Sequence, residues 1–134
     1  MARTVDGLKG LFQNARKISD QYDSGLIVDA LGLNFDIGHA YCVGEDPAEW
    51  VPRMRGHTRH YHFEDIAATR VHHHLVPGEG AIDFDGVFRA IATHTPDIWV
   101  TVELYPYRSK PDDAAKAARD YLFASAARAG VGIG

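Results

Sequence analysis

Three short stretches hold the residue types from which a metal site or an acid/base pair could be built: Asp36-Ile37-Gly38-His39, His62-Phe63-Glu64-Asp65 and Glu103-Leu104-Tyr105. A set that mixes imidazole with carboxylate suits Zn, Mn, Fe, Co or Ni rather than Ca, and Asp and Glu supply the negative charge that holds a divalent ion. Histidine is also unusually dense: the chain has eight, six of them between His57 and His74. Each residue alone has an ordinary reading. An Asp after a strand is most often a helix cap or turn residue, and a lone His is most often a satisfied polar group. His72, His73 and His74 read equally as a solvated loop cluster, and His57, His60 and His94 as structural or surface residues. Glu79, between Gly78 and Gly80, reads as a solvated carboxylate in a tight turn. What favours chemistry is recurrence, because ionisable groups stand at the end of each of three successive strands.

Those strands and their neighbours follow from hydrophobic spacing. Residues 7–25 carry Leu8, Leu11, Phe12, Ala15 and Ile18 at helical intervals, with Gly25 as a stop. Residues 26–31 are ambiguous, an extra turn or the approach to a strand. Leu33, Phe35 and Ile37 alternate with polar residues, so 32–37 is a strand, and Gly38-His39 opens the loop after it. Asp46 caps a short helix that starts at Pro47 and buries Trp50, Val51 and Met54. Residues 58–66 form a strand with His60, His62 and in one register Glu64 on one face, and Tyr61 and Phe63 on the other. A long loop covers 67–82. Asp83 caps a helix running to residue 94, with Phe84, Val87, Phe88 and Ile91 inward. Residues 98–104 are the third strand, and 111–129 an amphipathic helix capped by Asp112 or Ser109.

Strictly alternating helices and apolar strands predict an α/β fold with parallel strands covered by helices. In such folds the ligand site lies beyond the carboxyl ends of the strands, so Asp36, His62 and Glu103 converge there. A closed barrel of eight such units takes ~250 residues, and this chain of 134 holds a little under half of one. Composition narrows the function classes. With 46% hydrophobic and 24% charged residues the chain is not disordered. Its formal charge of −4 argues against a nucleic-acid binder driven by bulk charge. The single cysteine, Cys42, excludes an internal disulfide and a multi-cysteine zinc site. No apolar run approaches the ~20 residues of a membrane span, and the first residues lack the apolar stretch of a signal peptide. The expected setting is cytoplasmic, with no membrane partner.

Four segments carry a family resemblance. FDIGHAYCVGEDPAEW, RHYHFEDI, HHHLVPGEGAIDFDGVFRAI and IWVTVELYPY resemble, in order and spacing, the later segments of sugar phosphate isomerases/epimerases with a xylose isomerase-like TIM barrel. That superfamily includes AP endonuclease family 2, and the resemblance covers about residues 7 to 123. It implies that residues 1–134 are the C-terminal half of a (β/α)8 barrel, strands six to eight with flanking helices. It further implies metal ligation by Asp36, His62 and Glu103, with Glu103 also the acid/base. His39 becomes a substrate-side or second-metal residue. His72 and His74 fall where the endonuclease branch holds a further metal through an Asp and a His, and His72 departs from that Asp. Arg70 lies near a substrate-binding arginine of the epimerase branch, at a different spacing.

The activity so implied is proton transfer next to a carbonyl through an enediolate, in a sugar or sugar phosphate, assisted by Mn, Zn, Co or Mg. A second glutamate and much of the sugar pocket lie, in the family, on strands this chain does not carry. The isolated chain is therefore expected to be inactive, and to form a homo-oligomer or to pair with a complementing N-terminal half. Two other readings stand beside it: a non-catalytic metal-binding half-barrel, and more weakly an endonuclease-like phosphodiesterase, which His72 and the negative charge disfavour. A sheet cut from a barrel leaves open edges. The face expected to lack its opposing layer includes Phe35 or its neighbours, Tyr61 or Phe63, and Val100 or Val102.

Overall fold

The computed structural model describes residues 32–133 together with Gln13, so the expected helix over 7–25 and the ambiguous 26–31 stretch lie outside the described residues. The sheet is built from β1 (Leu33–Asp36), β2 (Thr58–Phe63) and β3 (Trp99–Val102), all parallel and in the order β1-β2-β3. Helices α1 (Ile37–Cys42) and α2 (Pro47–Met54) connect β1 to β2, α3 (Phe84–His94) connects β2 to β3, and α4 (Pro111–Ala129) follows a short 3-10 turn at Tyr105–Tyr107. Strand–helix alternation with parallel strands in chain order is the repeat from which a (β/α)8 barrel is made. The described sheet is open and stops at three strands, as part of such a barrel would.

Register decides which residues share a face. Phe35 pairs with Tyr61 and Tyr61 with Val100, while Asp36 pairs with His62 and His62 with Thr101. With a side-chain period of two, Phe35, Tyr61, Phe63, Val100 and Val102 fall on one face and Asn34, Asp36, His60, His62 and Thr101 on the other. The first face is the core side. Phe35, Tyr61 and Phe63 are buried there, with the Phe63 ring 5.7 Å from both Phe84 and Phe88. The Tyr61 hydroxyl is satisfied by Thr95 Oγ1 at 2.9 Å. Among the described residues, the face without covering helices is thus the polar one. This corrects the expectation of a bare apolar layer at Phe35, Tyr61 or Phe63, whose cover is the helices on their own side. The large apolar exception on the open face is Trp99, 81% exposed.

Helix boundaries follow their caps. Asp46 accepts from the Ala48 N–H and Asp83 from the Gly86 N–H, at the positions expected. The loop expected at Gly38-His39 is instead the start of α1, because Asp36 accepts the His39 N–H and nucleates a turn there. Neither Asp112 nor Ser109 caps α4. Its N-cap is Lys110, whose side chain makes no capping bond, and Pro111 at the first position has no N–H to satisfy. Asp112 and Asp113 sit in the first turn, where the helix dipole favours negative charge.

Helices α3 and α4 are fastened at Asp85, which accepts from both Arg128 Nε and Nη2 at 2.9 Å and from the Ser125 hydroxyl. Arg128, and then Ser125, hold the Asp85 carboxyl below its ordinary range. A depressed carboxylate contributes stability above its unfolded pKa of about 3.9 and loses it as pH falls through the folded value. Asp85→Asn should therefore lower the melting temperature by a few degrees at pH 7, and the gap from wild type should close on acidification below about pH 4. Thermal unfolding by circular dichroism at pH 7, 4, 3 and 2 checks this, and a gap that stays constant with pH would contradict it.

Candidate functional site

The paired register brings the strand ends together. Asp36 and His62 stand opposite each other, and Glu103, two residues beyond the Thr101 that pairs with His62, returns to the same face. Its N–H donates to the Phe63 carbonyl at 2.9 Å, which carries the ladder one step past β3. One ligand atom each from Asp36, His62 and Glu103 lies within 4.8 Å of the other two, and His62 Nδ1 is 3.4 Å from a Glu103 carboxylate oxygen. Asp36 is a helix cap as well. Its Oδ1 accepts the His39 N–H at 2.8 Å and its Oδ2 faces His39 Nδ1 at 3.2 Å. The carboxylate thus caps α1 through Oδ1 and faces the His39 ring through Oδ2.

The histidine loop reaches the same place because Asp65 organises it. Buried Asp65 accepts four backbone N–H groups, those of Ile66 and Ile82 on Oδ1 and those of Gly78 and Gly80 on Oδ2. Its backbone exchanges two hydrogen bonds with Leu75 in an isolated antiparallel bridge. At Gly80 a Cβ would lie 2.3 Å from Asp65 Oδ1, so only glycine lets the loop come this close. Val76 packs with Ala114 and Ala118 of α4, and Glu79, expected to be merely solvated, accepts the Tyr107 hydroxyl at 3.0 Å.

Thus held, His72 and His74 meet His39, and one nitrogen of each lies within 4.8 Å of the others. His74 Nδ1 is 2.9 Å from the Glu103 carbonyl, which can only accept. The proton is therefore on Nδ1, and Nε2 is left towards His72 Nε2 at 2.9 Å. Burial first, and then the neighbouring His39 and His74, push the His72 pKa down and favour the neutral imidazole that a metal requires.

Glu64 is the residue that sequence reasoning did not select. It is fully buried, neither carboxylate oxygen has a hydrogen-bond partner among the described residues, and it forms a third group of possible ligands with His74 and Glu103. Burial, then Asp36 and then Glu103 push its pKa up to about 9. The one signal in the sequence was strand alternation, which puts Glu64 on the His62 face if β2 runs one residue further than it does. Arg70 is not among these groups. At φ 60° it donates to the Tyr41 carbonyl and stacks its guanidinium 4.1 Å from the Tyr41 ring. His73 is exposed and belongs to neither histidine set.

The residues fit a divalent cation on chemical grounds: two clustered carboxylates, imidazoles of which one has its tautomer fixed from behind, and a buried carboxylate beside them. An apolar groove lined by Val100, Val102, Leu104, Leu122 and Phe123 lies on the other face of β3 and brings together no comparable set of ligands. Among the described residues no helix is long and apolar enough to cross a membrane.

The sequence pattern of the xylose isomerase-like TIM barrel matches residues 4–125. The chain belongs to the xylose isomerase-like TIM barrel family. Relatives named inosose dehydratase lie within reach. That of Lacticaseibacillus casei is 32% identical over 115 residues, covering 72% of this chain and 39% of the relative. That of Clostridium tetani is 31% identical over 113 residues, 71% and 38%, and that of Bacillus thuringiensis 29% over 124 residues, 79% and 40%. The chain spans about two-fifths of the length of these curated relatives. In this family setting, the described residues are three consecutive strand–helix units with their carboxyl-end loops.

Asp65→Ala removes the acceptor for four backbone N–H groups in one step. It should cost about 3–5 kcal/mol, measured by urea unfolding. The 67–82 loop should become the first site of proteolytic cleavage, mapped by mass spectrometry. A loss below about 1 kcal/mol would show that the loop holds its shape without Asp65.

Proposed function

We propose that this chain binds a divalent ion, Mn, Zn, Co or Mg, through Asp36, His62 and Glu103, in the service of proton abstraction next to the carbonyl of a sugar or sugar phosphate. The observation that carries the reading is the meeting of these three ligand atoms within 4.8 Å at the carboxyl ends of in-register strands. His72, His74 and His39 are proposed to hold a second ion. A bound ion supplies Lewis-acid polarisation of a substrate oxygen.

The protein's own groups do the rest. Glu103, with its side chain 42% exposed, holds and moves the proton at its carboxylate, and His62 at 3.4 Å orients it. His39, 58% exposed, is the alternative candidate for contact with substrate hydroxyls, in place of its role at the second ion. Arg70 has part of its guanidinium committed to Tyr41 and is proposed to meet an anionic or hydroxyl group of substrate with the remainder. Removing the proton beside a carbonyl is a step common to several outcomes. Its return to carbon or to the neighbouring position gives an epimer or isomer, while departure of a hydroxyl from the next carbon, as water, gives a dehydration. The name of the relatives, inosose dehydratase, supports the last of these.

We propose that the isolated chain is inactive, since two positioned acid/base groups are needed and losing one costs on the order of 10²–10⁴ in rate. It would act by self-association or with a complementing half that covers the outer strands of the described sheet. A monomer by light scattering at all micromolar concentrations would count against that association.

Calorimetry with Mn²⁺ or Co²⁺ tests the site: Asp36→Ala and His62→Ala should each weaken binding by about 10–100-fold. Unchanged affinity would place any ion elsewhere. Incubation of the metal-loaded chain with inososes and ketoses tests the activity. Steady turnover at the ~1–10³ per second ordinary for enzymes would overturn the proposed inactivity of the chain alone.

A further inference from the structure

Asp65 holds the two ends of the 67–82 connection, through Ile66 at one and Gly78, Gly80 and Ile82 at the other. Between them the Arg70 N–H donates to the Ala67 carbonyl at 2.8 Å, and the next backbone–backbone hydrogen bond among the described residues is that of Leu75. His72 lies in this loosely held stretch, yet its ring centroid is 4.4 Å from that of His39, which stands on α1. Arg70 is what joins the two segments. Its Nη1 donates to the Tyr41 carbonyl, 29 residues away in sequence, and its guanidinium lies 4.1 Å from the Tyr41 ring centroid. The same carbonyl accepts the Gly44 N–H at 3.1 Å, so Arg70 completes the C-terminal end of α1 from outside the helix. The first turn of α1 is fixed separately, by the Asp36 cap and by the close approach of Gly38 to Glu64. Tyr41 follows His39 by two positions and Arg70 precedes His72 by two, so the contact is next to both rings along the chain. The backbone points the same way. At φ 60° Arg70 occupies the left-handed region, which glycine adopts freely and a residue with a Cβ does not. An arginine here is unfavourable for the turn itself, and its side-chain contacts with Tyr41 are what offset that strain.

We propose that Arg70 is a positioning residue: its guanidinium, clasped to Tyr41, holds the loop against the end of α1 so that the His72 ring meets His39. The clasp works in the ligand-free chain and is separate from any contact of Arg70 with substrate. Its consequence for ion capture rests on the reading of His39, His72 and His74 as a ligand set. Arg70→Gly is the informative variant, because it removes the clasp and relieves the backbone strain in one step. Arg70→Lys keeps the charge and loses the planar fork.

The test is nuclear magnetic resonance of the full chain with labelled histidine and tyrosine, first without metal. Wild type should show Overhauser contacts between the His39 and His72 rings and between the His74 and Tyr105 rings, whose centroids are 4.5 Å apart. Arg70→Gly should lose the first contact, keep the second and still unfold cooperatively, with Arg70→Lys intermediate. Tyr41→Leu should weaken the first contact, and in the Arg70→Gly background it should add nothing, since the two side chains act as one unit. Co²⁺ is then added, and the shifted ring signals of His39 and His72 report the ion beside them. Arg70→Gly should weaken that binding by about 10–100-fold, the usual effect of losing a group that orients ligands. A His39–His72 contact that survives in Arg70→Gly, or is missing from wild type, would overturn the clasp. Loss of both ring contacts in Arg70→Gly would overturn it too, by showing that Arg70 serves the fold as a whole. Ring signals that Co²⁺ leaves unshifted in wild type would remove the second ion from the proposed function, while the metal-free ring contacts still decide the clasp.

Discussion

Parallel pairing without slippage at the strand ends is the constraint on which everything at the site depends. Asp36, His62 and Thr101 lie in one row across the sheet, so the position of Glu103 two residues later is fixed by the backbone. A shift of one residue in β1 would turn Asp36 towards α2 and α3, and bring Phe35 to the open face. The core prevents this. Phe35, Tyr61 and Phe63 are anchored by Phe84, Phe88 and the other apolar residues of the helices, so the energy that buries one face also sets the register of the other.

The loop after β2 depends on the same frame by a different means. It has little regular structure, and its histidines are positioned by one buried carboxylate that gathers amides from both ends of the segment. Apolar contact with α4 at Val76 fixes its far side. The site therefore has two kinds of support: strand ends held by packing, and a loop held by hydrogen bonds to Asp65.

Much of this was legible in the sequence, and the physical reasons for success and failure differ. The strands over Phe35 and Tyr61, and the helix at Phe84–His94, follow from apolar spacing, which reports burial directly. Asp36, His62 and Glu103 follow from type and position, and His39, His72 and His74 from the resemblance; the structure brings all six into adjacent groups. Arg70 was selected by resemblance, and the structure engages it with Tyr41. The helix at Ile37–Cys42 was read as loop because its start depends on a cap that doubles as a site residue. Glu64 and the role of Asp65 were not legible. Both lie just past the end of β2, where strand alternation ceases to predict direction and only long-range partners such as Gly78, Gly80 and His74 define the surroundings.

The gathering of the loop onto Asp65 has a thermodynamic consequence for ion capture. Confining a long connection carries an entropic cost that grows with the number of residues fixed. Here that ordering accompanies folding, through amide hydrogen bonds and apolar contact that do not involve the histidine side chains. An ion, were it to bind as proposed, would have few backbone dihedrals left to freeze at His72 and His74. Binding at this loop should consequently reflect the exchange of water for nitrogen and oxygen donors, with a small entropy term from the chain itself.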